Sequence, residues 1–128
     1  EKLISSKCLI KGTRVNRGFF DSLFSRSMAI LTSIMFAKKF TEINAQPKIF
    51  NKDLFKHFIN PPKDFSLDLF VYYNAISNGM RIKRFPVNFG LRLKGEGHNE
   101  TLLSKLKYSY KTILYSIELR KRLKRHSK

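Results

Sequence analysis

The chain has 128 residues, enough for one hydrophobic core, and 42% of them are hydrophobic, which excludes a disordered polypeptide. It carries 26 Lys and Arg against nine Asp and Glu, and the net charge of +17 predicts an anionic partner: nucleic acid, an acidic membrane or a phosphorylated ligand. A single cysteine excludes an intrachain disulfide and fits a reducing, cytosolic setting, and three scattered histidines leave no zinc pattern.

The order of predicted elements is that of an α/β protein. In chain order they are a strand at 8–10, a helix at 20–39, an extended segment at 42–50, a short helix at 51–58, a helix at 66–77, a strand at 81–89 and a terminal helix at 99–123. The first strand is expected to end at Gly12, which leaves Arg14 and Arg17 just beyond its carboxyl edge, where ligands bind in α/β sheets. Pro86 predicts that the last strand lies at a sheet edge or carries a bulge.

The helix at 20–39 carries apolar residues at spacings that favour one face and is moderately amphipathic. The helix at 99–123 also has an apolar face, and we expect that face to pack in the core. From 101 to 128 the chain has nine Lys or Arg against Glu118, so two interpretations stay open for the end of the terminal helix. It is either a solvated basic tail or a basic amphipathic segment on an acidic membrane surface. No signal peptide and no membrane span are expected, since the longest uncharged apolar run, 27–37, is far shorter than a span needs.

Residues 84–98 are typical of phosphate binding, because a short apolar strand leads into glycines interspersed with cations. The glycines at 90, 95 and 97 let main-chain N–H groups approach an anion. Arg92 adds a planar fork that pairs two oxygens at once. The alternative is an ordinary strand end with a solvated arginine.

Three blocks of sequence follow one another in an informative order. The first is Lys11-Gly12-Thr13-Arg14 followed by Ser25-Arg26, the second runs from Glu42 to Phe50 with Ala-Gln-Pro at its centre, and the third runs from 64 to 98 and contains Phe-Pro-Val-x-Phe-x-x-Arg-x-x-Gly-Glu. Together they resemble glycosyltransferase family 2, specifically the enzymes that load a sugar onto a polyprenyl phosphate such as dolichyl or undecaprenyl phosphate. Many members of that family have Ser-Gly-Phe where this chain has Ala-Gln-Pro.

The resemblance implies an α/β fold, the C-terminal portion of a glycosyltransferase-A (nucleotide-diphospho-sugar transferase) fold with an incomplete sheet and flanking helices. Residues 1–99 would be the C-terminal half of the catalytic domain, and 100–128 a basic amphipathic helix and tail. The family's Asp-x-Asp motif is absent, since no two acidic residues have that spacing. We therefore expect a missing N-terminal half or partner chain that holds a divalent cation, Mg or Mn, and little activity from this chain alone.

The same resemblance assigns roles to individual residues. The acceptor phosphate would be held by Arg14, Arg26 and Gln46, and the donor diphosphate by Arg92, Lys94 and Gly95. A lipid phosphate is already an oxyanion at neutral pH, so the enzyme would need fixed cations rather than a strong base. A sugar hydroxyl acceptor would require a carboxylate base, for which Asp64 is the first candidate and Glu42 the second. Asp68 is expected to pack or to cap a helix.

The expected partners are a nucleotide-sugar donor, a lipid phosphate acceptor and an anionic membrane surface, with the protein peripheral at the cytoplasmic face of a membrane. Two other classes of function remain. A nucleic-acid-binding module would explain the charge, but the chain has no RNA-binding strand motif, zinc finger or clear helix-turn-helix. A membrane-surface adaptor without catalysis would explain the terminal helix and leave Arg92 without a role.

Overall fold

The computed structural model describes residues 7–15, 18–64, 66–88 and 101–126. In chain order the elements are β1 (Cys8–Val15), α1 (Phe19–Phe36), β2 (Lys48–Phe50), a 3-10 helix (Lys52–His57), α2 (Leu67–Ser77), β3 (Arg81–Asn88) and α3 (Leu102–His126). The described residues divide into two compact units. We call 7–15, 42–64 and 66–88 the sheet unit, and 18–41 and 101–126 the helical unit.

The sheet unit contains a three-stranded mixed sheet in the order β2-β1-β3. β1 runs antiparallel to β2 and parallel to β3, so that Lys11 is paired with Lys48 on one side and with Arg84 on the other. This confirms the α/β class and the edge position expected of the strand that contains Pro86.

β1 is longer than its sequence predicts. We expected the strand to end by Gly12 with Arg14 beyond it, but β1 continues to Val15 and Arg14 lies within the strand. The reason is that β3 pairs along the whole of β1, with Arg14 opposite Val87. Tertiary pairing therefore overrides the local stop signal of a glycine.

Gly12 is explained by a close backbone approach rather than by a strand end. A Cβ at this position would lie 2.2 Å from the main-chain oxygen of Gln46. The Gly12 N–H donates to the main-chain oxygen of Pro47 over 2.9 Å, beside the cis peptide bond that joins Gln46 to Pro47. The segment before β2 can run this close to β1 only because position 12 has no side chain.

α2 lies against the sheet and supplies much of the core of the sheet unit. The most deeply buried apolar side chains, each with an exposed fraction of zero, are Leu9, Leu54, Leu69, Tyr72 and Ala75. Edge-to-face contacts among Phe55, Phe58 and Phe70, with ring centroids 5.1 Å apart, join the 3-10 helix to α2. Asn51 caps the 3-10 helix, because its side chain accepts the Asp53 N–H.

The helical unit consists of α1 packed against α3. An ion pair between Asp21 and Lys105 joins the first turns of the two helices. Met35, in the last turn of α1, and Ile117, in the second half of α3, line a common groove. The two helices therefore run side by side in the same direction. α1 ends at Phe36, three residues earlier than predicted, because Ala37 adopts left-handed angles with φ of 50°.

The expectation that the apolar face of the terminal helix packs in the core is wrong, and α1 likewise exposes most of its large apolar residues. The buried side of α1 carries Ala29 and Thr32, and that of α3 carries Thr112, Ser116 and Leu119. The exposed large apolar residues, which we call the outer face, are 19, 20, 23, 30, 31 and 34 on α1 and 102, 103, 106, 110, 114 and 117 on α3. Small side chains and hydroxyls allow the two helices to approach closely, and this leaves the bulky residues outside.

No helix within the described ranges combines the length and the apolarity needed to cross a bilayer.

Candidate anion-binding site

Three cationic side chains form a row across the three strands of the sheet. Lys48, Lys11 and Arg84 occupy paired positions on β2, β1 and β3. Residues paired in this way project from the same face of a sheet, about 4.5–5.5 Å apart at Cβ. Like charges at such positions repel each other, so a row of three requires compensation from nearby groups.

Lys11 lies at the centre of this row and has an exposed fraction of zero. Its Nζ donates to the main-chain oxygen of Glu42 over 2.7 Å and lies 4.3 Å from the centroid of the Tyr72 ring. Glu42 itself has φ of 44°, a left-handed conformation that is uncommon outside glycine. Burial, followed by the positive charge of Lys48, lowers the pKa of Lys11 from 10.5 to about 7. The site thus contains an ammonium group whose charge is poorly stabilised by its surroundings.

Lys48 is also buried, with a side chain only 5% exposed, and it is paired with a carboxylate. Its Nζ lies 2.7 Å from Asp68 Oδ1, and Gln46 Nε2 donates to the same oxygen. Burial lowers the pKa of Lys48, the bond to Asp68 opposes that change, and the charge of Arg14 adds to it. Arg14 therefore lies within electrostatic reach of this pair, although it belongs to β1.

We call Lys11, Lys48 and Arg84, together with Arg14, the cation cluster. Arg14 lies three residues from Lys11 on β1, so it projects from the opposite face of the sheet and acts on Lys48 through its charge. The carboxylates whose charge stabilises protonated Lys11 are Glu42 and, more weakly, Asp68. Among the described residues these four cations outnumber the two carboxylates; Lys11 and the side chain of Lys48 are buried, whereas Arg14 and Arg84 are exposed. Buried positive charge is costly unless an anion balances it.

Thr13 adds an unused polar group beside this excess of charge. Its Oγ1 is buried and has no hydrogen-bond partner among the described residues. Position 13 lies two residues from Lys11 on β1, and alternate residues of a strand project from the same face. An anion with several acceptor oxygens is the chemistry that matches a hydroxyl donor beside lysine and arginine.

The residues predicted from the sequence fall in different parts of the chain. Arg14, Glu42, Gln46 and Asp64 lie in the sheet unit, Arg26 lies on α1 in the helical unit, and Arg92, Lys94 and Gly95 lie outside the described residues. Three of them meet around the cation cluster: Arg14 is a member, the carbonyl of Glu42 holds Lys11, and Gln46 shares Asp68 with Lys48.

Asp64 has a local structural role. Its Oδ1 accepts the N–H of Ser66 over 2.9 Å, and its main-chain oxygen accepts the N–H of Leu67. These bonds fix the turn that leads into α2, as short polar side chains often do at helix starts.

Sequence reasoning missed the importance of Lys11, Lys48 and Asp68. The available signal was a charged residue inside an apolar segment: a lysine within each of two strands, and an aspartate in the first turn of an otherwise apolar α2. Strand lysines that project towards a buried helix are rare unless they are paired. Asp68 lies in the first turn of α2, and its carboxylate accepts hydrogen bonds from both Lys48 and Gln46.

The described part of the chain contains no group of three His, Cys, Asp or Glu that could hold a metal ion. The positive charge of the cation cluster is suited to binding an anionic group such as a phosphate. No family model matches this chain, and neither does any curated protein or solved structure to which it was compared.

Proposed function

We propose that the sheet unit binds a phosphorylated ligand at the cation cluster, as the C-terminal part of a family 2 glycosyltransferase with a glycosyltransferase-A fold. The reaction would move a sugar from a nucleotide-sugar donor to a polyprenyl phosphate. The observation that carries the proposal is the row of Lys48, Lys11 and Arg84 beside the unpartnered hydroxyl of Thr13. A phosphate monoester carries up to two negative charges near neutral pH and would balance the positive excess of this row.

The chemistry of such a transfer suits a site that is rich in cations. The acceptor phosphate is itself the nucleophile, and its oxygen attacks the anomeric carbon of the sugar while the nucleoside diphosphate leaves with the bonding electrons. No strong base is needed, but two anions must be brought together, and fixed positive charge lowers the cost of that step. Arg14 would lend its positive charge to the acceptor phosphate from the opposite face of β1, while Asp68 would act as a positioning residue that orients Lys48 and Gln46.

The remaining assignments depend on the resemblance and stay proposals. Arg26 would contribute to the acceptor phosphate, and Arg92, Lys94 and Gly95 to the donor diphosphate. The divalent cation, Mg or Mn, would be held by a nucleotide-binding half that this chain does not contain, and it would neutralise the leaving diphosphate. The protein would work peripherally at the cytoplasmic face of a membrane, where a polyprenyl phosphate is accessible.

A second candidate function is a membrane-surface adaptor without catalysis. The specific observation in its favour is the outer face of α1 and α3, with Phe19 76% and Leu103 79% exposed. This candidate predicts lipid binding by the helical unit and no phosphate-specific binding by the sheet unit. Measurement of phosphate binding at the cation cluster therefore distinguishes the two functions.

The test is binding of farnesyl phosphate, a short prenyl phosphate, to the 128-residue chain by isothermal titration calorimetry, with farnesol for comparison. Arg84→Gln should weaken binding of the phosphate by about tenfold or more, the loss expected for one charged hydrogen bond. Arg81→Gln is the matched control, because it removes an exposed arginine from the same strand at a position paired with Cys8, on the opposite face. It should leave the affinity unchanged.

Three outcomes would contradict the proposal. Equal affinity for farnesol and farnesyl phosphate would mean that the chain recognises only the hydrocarbon. Equal losses from Arg84→Gln and Arg81→Gln would mean that net charge alone attracts the ligand. Displacement of the prenyl phosphate by duplex DNA, with tighter binding of the DNA, would favour the nucleic-acid-binding alternative.

A further inference from the structure

The two helices of the helical unit expose most of their large apolar side chains and bury mainly small or hydroxyl-bearing ones, with Leu119 as the exception. The buried positions include Thr32 on α1 and Thr112 and Ser116 on α3, each less than 5% exposed. On the outer face, Ile34 is 73% exposed and Tyr110 is 62% exposed. In water the hydrophobic effect favours the reverse arrangement, so this pair is suited to an apolar environment on its outer side.

Three hydroxyl groups of the helical unit donate to main-chain oxygens of their own helices. Ser33 donates to the main-chain oxygen of Ala29 over 2.6 Å, Thr112 to that of Tyr108 over 2.9 Å, and Ser116 to that of Thr112 over 2.7 Å. Bonds of this kind allow helices with hydroxyl side chains to pack closely in lipid, where an unsatisfied polar group is costly. The packing of the pair is therefore compatible with contact between its outer face and hydrocarbon.

The charge of the helical unit indicates which kind of surface complements it. Residues 18–41 and 101–122 contain nine Lys and Arg against two acidic residues. Both acidic residues are paired within the unit, Asp21 with Lys105 and Glu118 with Arg122. A surface that is apolar and strongly basic complements an anionic lipid bilayer, which offers hydrocarbon below a layer of negative headgroups.

A groove between α1 and α3 combines apolar and basic side chains. It has a volume of about 250 Å³ and is lined by Met35, Ile117, Arg120 and Lys121. Ile117, one of its lining residues, also belongs to the outer face. Two cations beside two apolar side chains match an anionic headgroup and the first carbons of its acyl chain.

We propose that the helical unit docks on an anionic bilayer, with the outer face of α1 and α3 inserted at the level of the headgroups and Arg120 and Lys121 bound to lipid phosphates or carboxylates. The proposal extends the membrane partner of the proposed function to a defined surface, and it concerns residues outside the cation cluster. Its success or failure is therefore measured separately from phosphate binding by the sheet unit.

The experiment is cosedimentation of the 128-residue chain with vesicles of phosphatidylcholine alone and of phosphatidylcholine mixed with phosphatidylserine. The chain should bind the mixed vesicles and bind phosphatidylcholine vesicles at least about tenfold more weakly, since each basic residue near an anionic surface contributes to binding. Ile34→Ser should weaken binding to the mixed vesicles by about tenfold or more, because a large side chain no longer enters the hydrocarbon. Ile59→Ser is the matched control, since Ile59 is 68% exposed but lies in the sheet unit.

The groove is tested by the double variant Arg120→Gln and Lys121→Gln, compared with Lys52→Gln in the sheet unit. The double variant should lose most of the preference for phosphatidylserine, whereas Lys52→Gln should keep it. Circular dichroism verifies that each variant is folded, and this check does not depend on whether the sheet unit binds phosphate.

Several results would overturn docking on a bilayer. If Ile34→Ser binds mixed vesicles as tightly as the wild type, charge alone attracts the protein and the outer face is not inserted. Equal binding to both vesicle compositions would show that the basic residues do not contribute to binding. If the chain forms a dimer that Ile34→Ser dissociates, and neither form binds vesicles, the outer face joins two copies of the chain instead.

Discussion

Lys48 on β2 and Asp68 in the first turn of α2 form an ion pair with Nζ 2.7 Å from Oδ1, and the lysine side chain is only 5% exposed. The pair joins the edge of the sheet to the helix that covers it, and Gln46 shares its carboxylate. Both charges have lost much of their hydration, so each depends on the other. The stability of the sheet unit and the shape of the cation cluster are therefore linked through one aspartate.

Asp68→Asn should destabilise the protein, because Lys48 would remain buried without its carboxylate. We expect a loss of about 2–4 kcal/mol in the free energy of unfolding, the lower part of the range for broken buried pairs, since Asp68 is partly exposed. Urea unfolding followed by circular dichroism measures it. Asp53→Asn is the control, because Asp53 and Lys56 form an exposed pair, and its unfolding curve should match that of the wild type. Identical curves for the two variants would contradict the role of the buried pair.

Lys11→Met should change how stability depends on pH. The pKa of Lys11 falls from 10.5 to about 7 on folding, so between these values the unfolded chain binds a proton that the folded protein does not. The free energy of unfolding should therefore rise from pH 7 to pH 10.5, by an amount on the order of 3–5 kcal/mol. Below pH 7 both states are protonated and the full cost of the buried charge is present.

The methionine variant should lose this rise and should be at least as stable as the wild type at pH 7, because it removes a buried charge while keeping the apolar stem. Urea unfolding at several pH values compares the two proteins. Lys52→Met, an exposed position, should retain the wild-type slope. Parallel curves for the wild type and Lys11→Met would show that Lys11 is not the group responsible.

Gly12→Ala should disrupt the approach of the segment before β2 to β1. The new Cβ would lie 2.2 Å from the main-chain oxygen of Gln46, and backbone atoms cannot swing away as a flexible side chain does. We expect a loss of at least about 1–3 kcal/mol in the free energy of unfolding, as for other overpacked positions. Gly18→Ala provides the comparison, since no atom lies within 4 Å of a Cβ there, and its effect should be less than about 1 kcal/mol. An equal effect at the two glycines would refute the close approach.

Thr13→Val should separate ligand binding from stability. Valine has nearly the shape of threonine and removes a buried hydroxyl that has no partner among the described residues, so stability should stay the same or rise by about 1 kcal/mol. Affinity for farnesyl phosphate should fall several-fold, since one neutral donor would be lost. Thr13→Ser should preserve the affinity because it keeps the oxygen. Unchanged calorimetric affinity in the valine variant would exclude Thr13 from the site.

Local signals predicted most of the elements. The cap at Asn51, the end of α2 before Gly79 and the strand that contains Pro86 all follow from residue chemistry that acts within a few positions. The length of β1 does not follow from local signals, because pairing with β3 extends the strand beyond Gly12. The direction of the apolar faces also could not be predicted, since periodicity indicates that a helix has two faces and does not indicate which of them is buried.

The candidate site was only partly accessible from the sequence. Arg14 and Gln46 were selected by resemblance, and they lie near the cation cluster. The burial of Lys11 could not be inferred, because it depends on Tyr72, 61 positions later in the chain, and on the main-chain oxygen of Glu42. Contacts between residues so far apart in sequence leave no local pattern.

The pairing of α1 with α3 has a practical consequence for shortened versions of the protein. α1 lies between β1 and β2 in the chain, but it packs against a helix that begins only at Leu102. Deletion of α3 would uncover Thr32 and Ala29 on the inner side of α1 while its outer side remains apolar. The truncated chain would then present two uncovered surfaces on one helix and should aggregate, so trimming for crystallisation is better limited to the residues after Arg122.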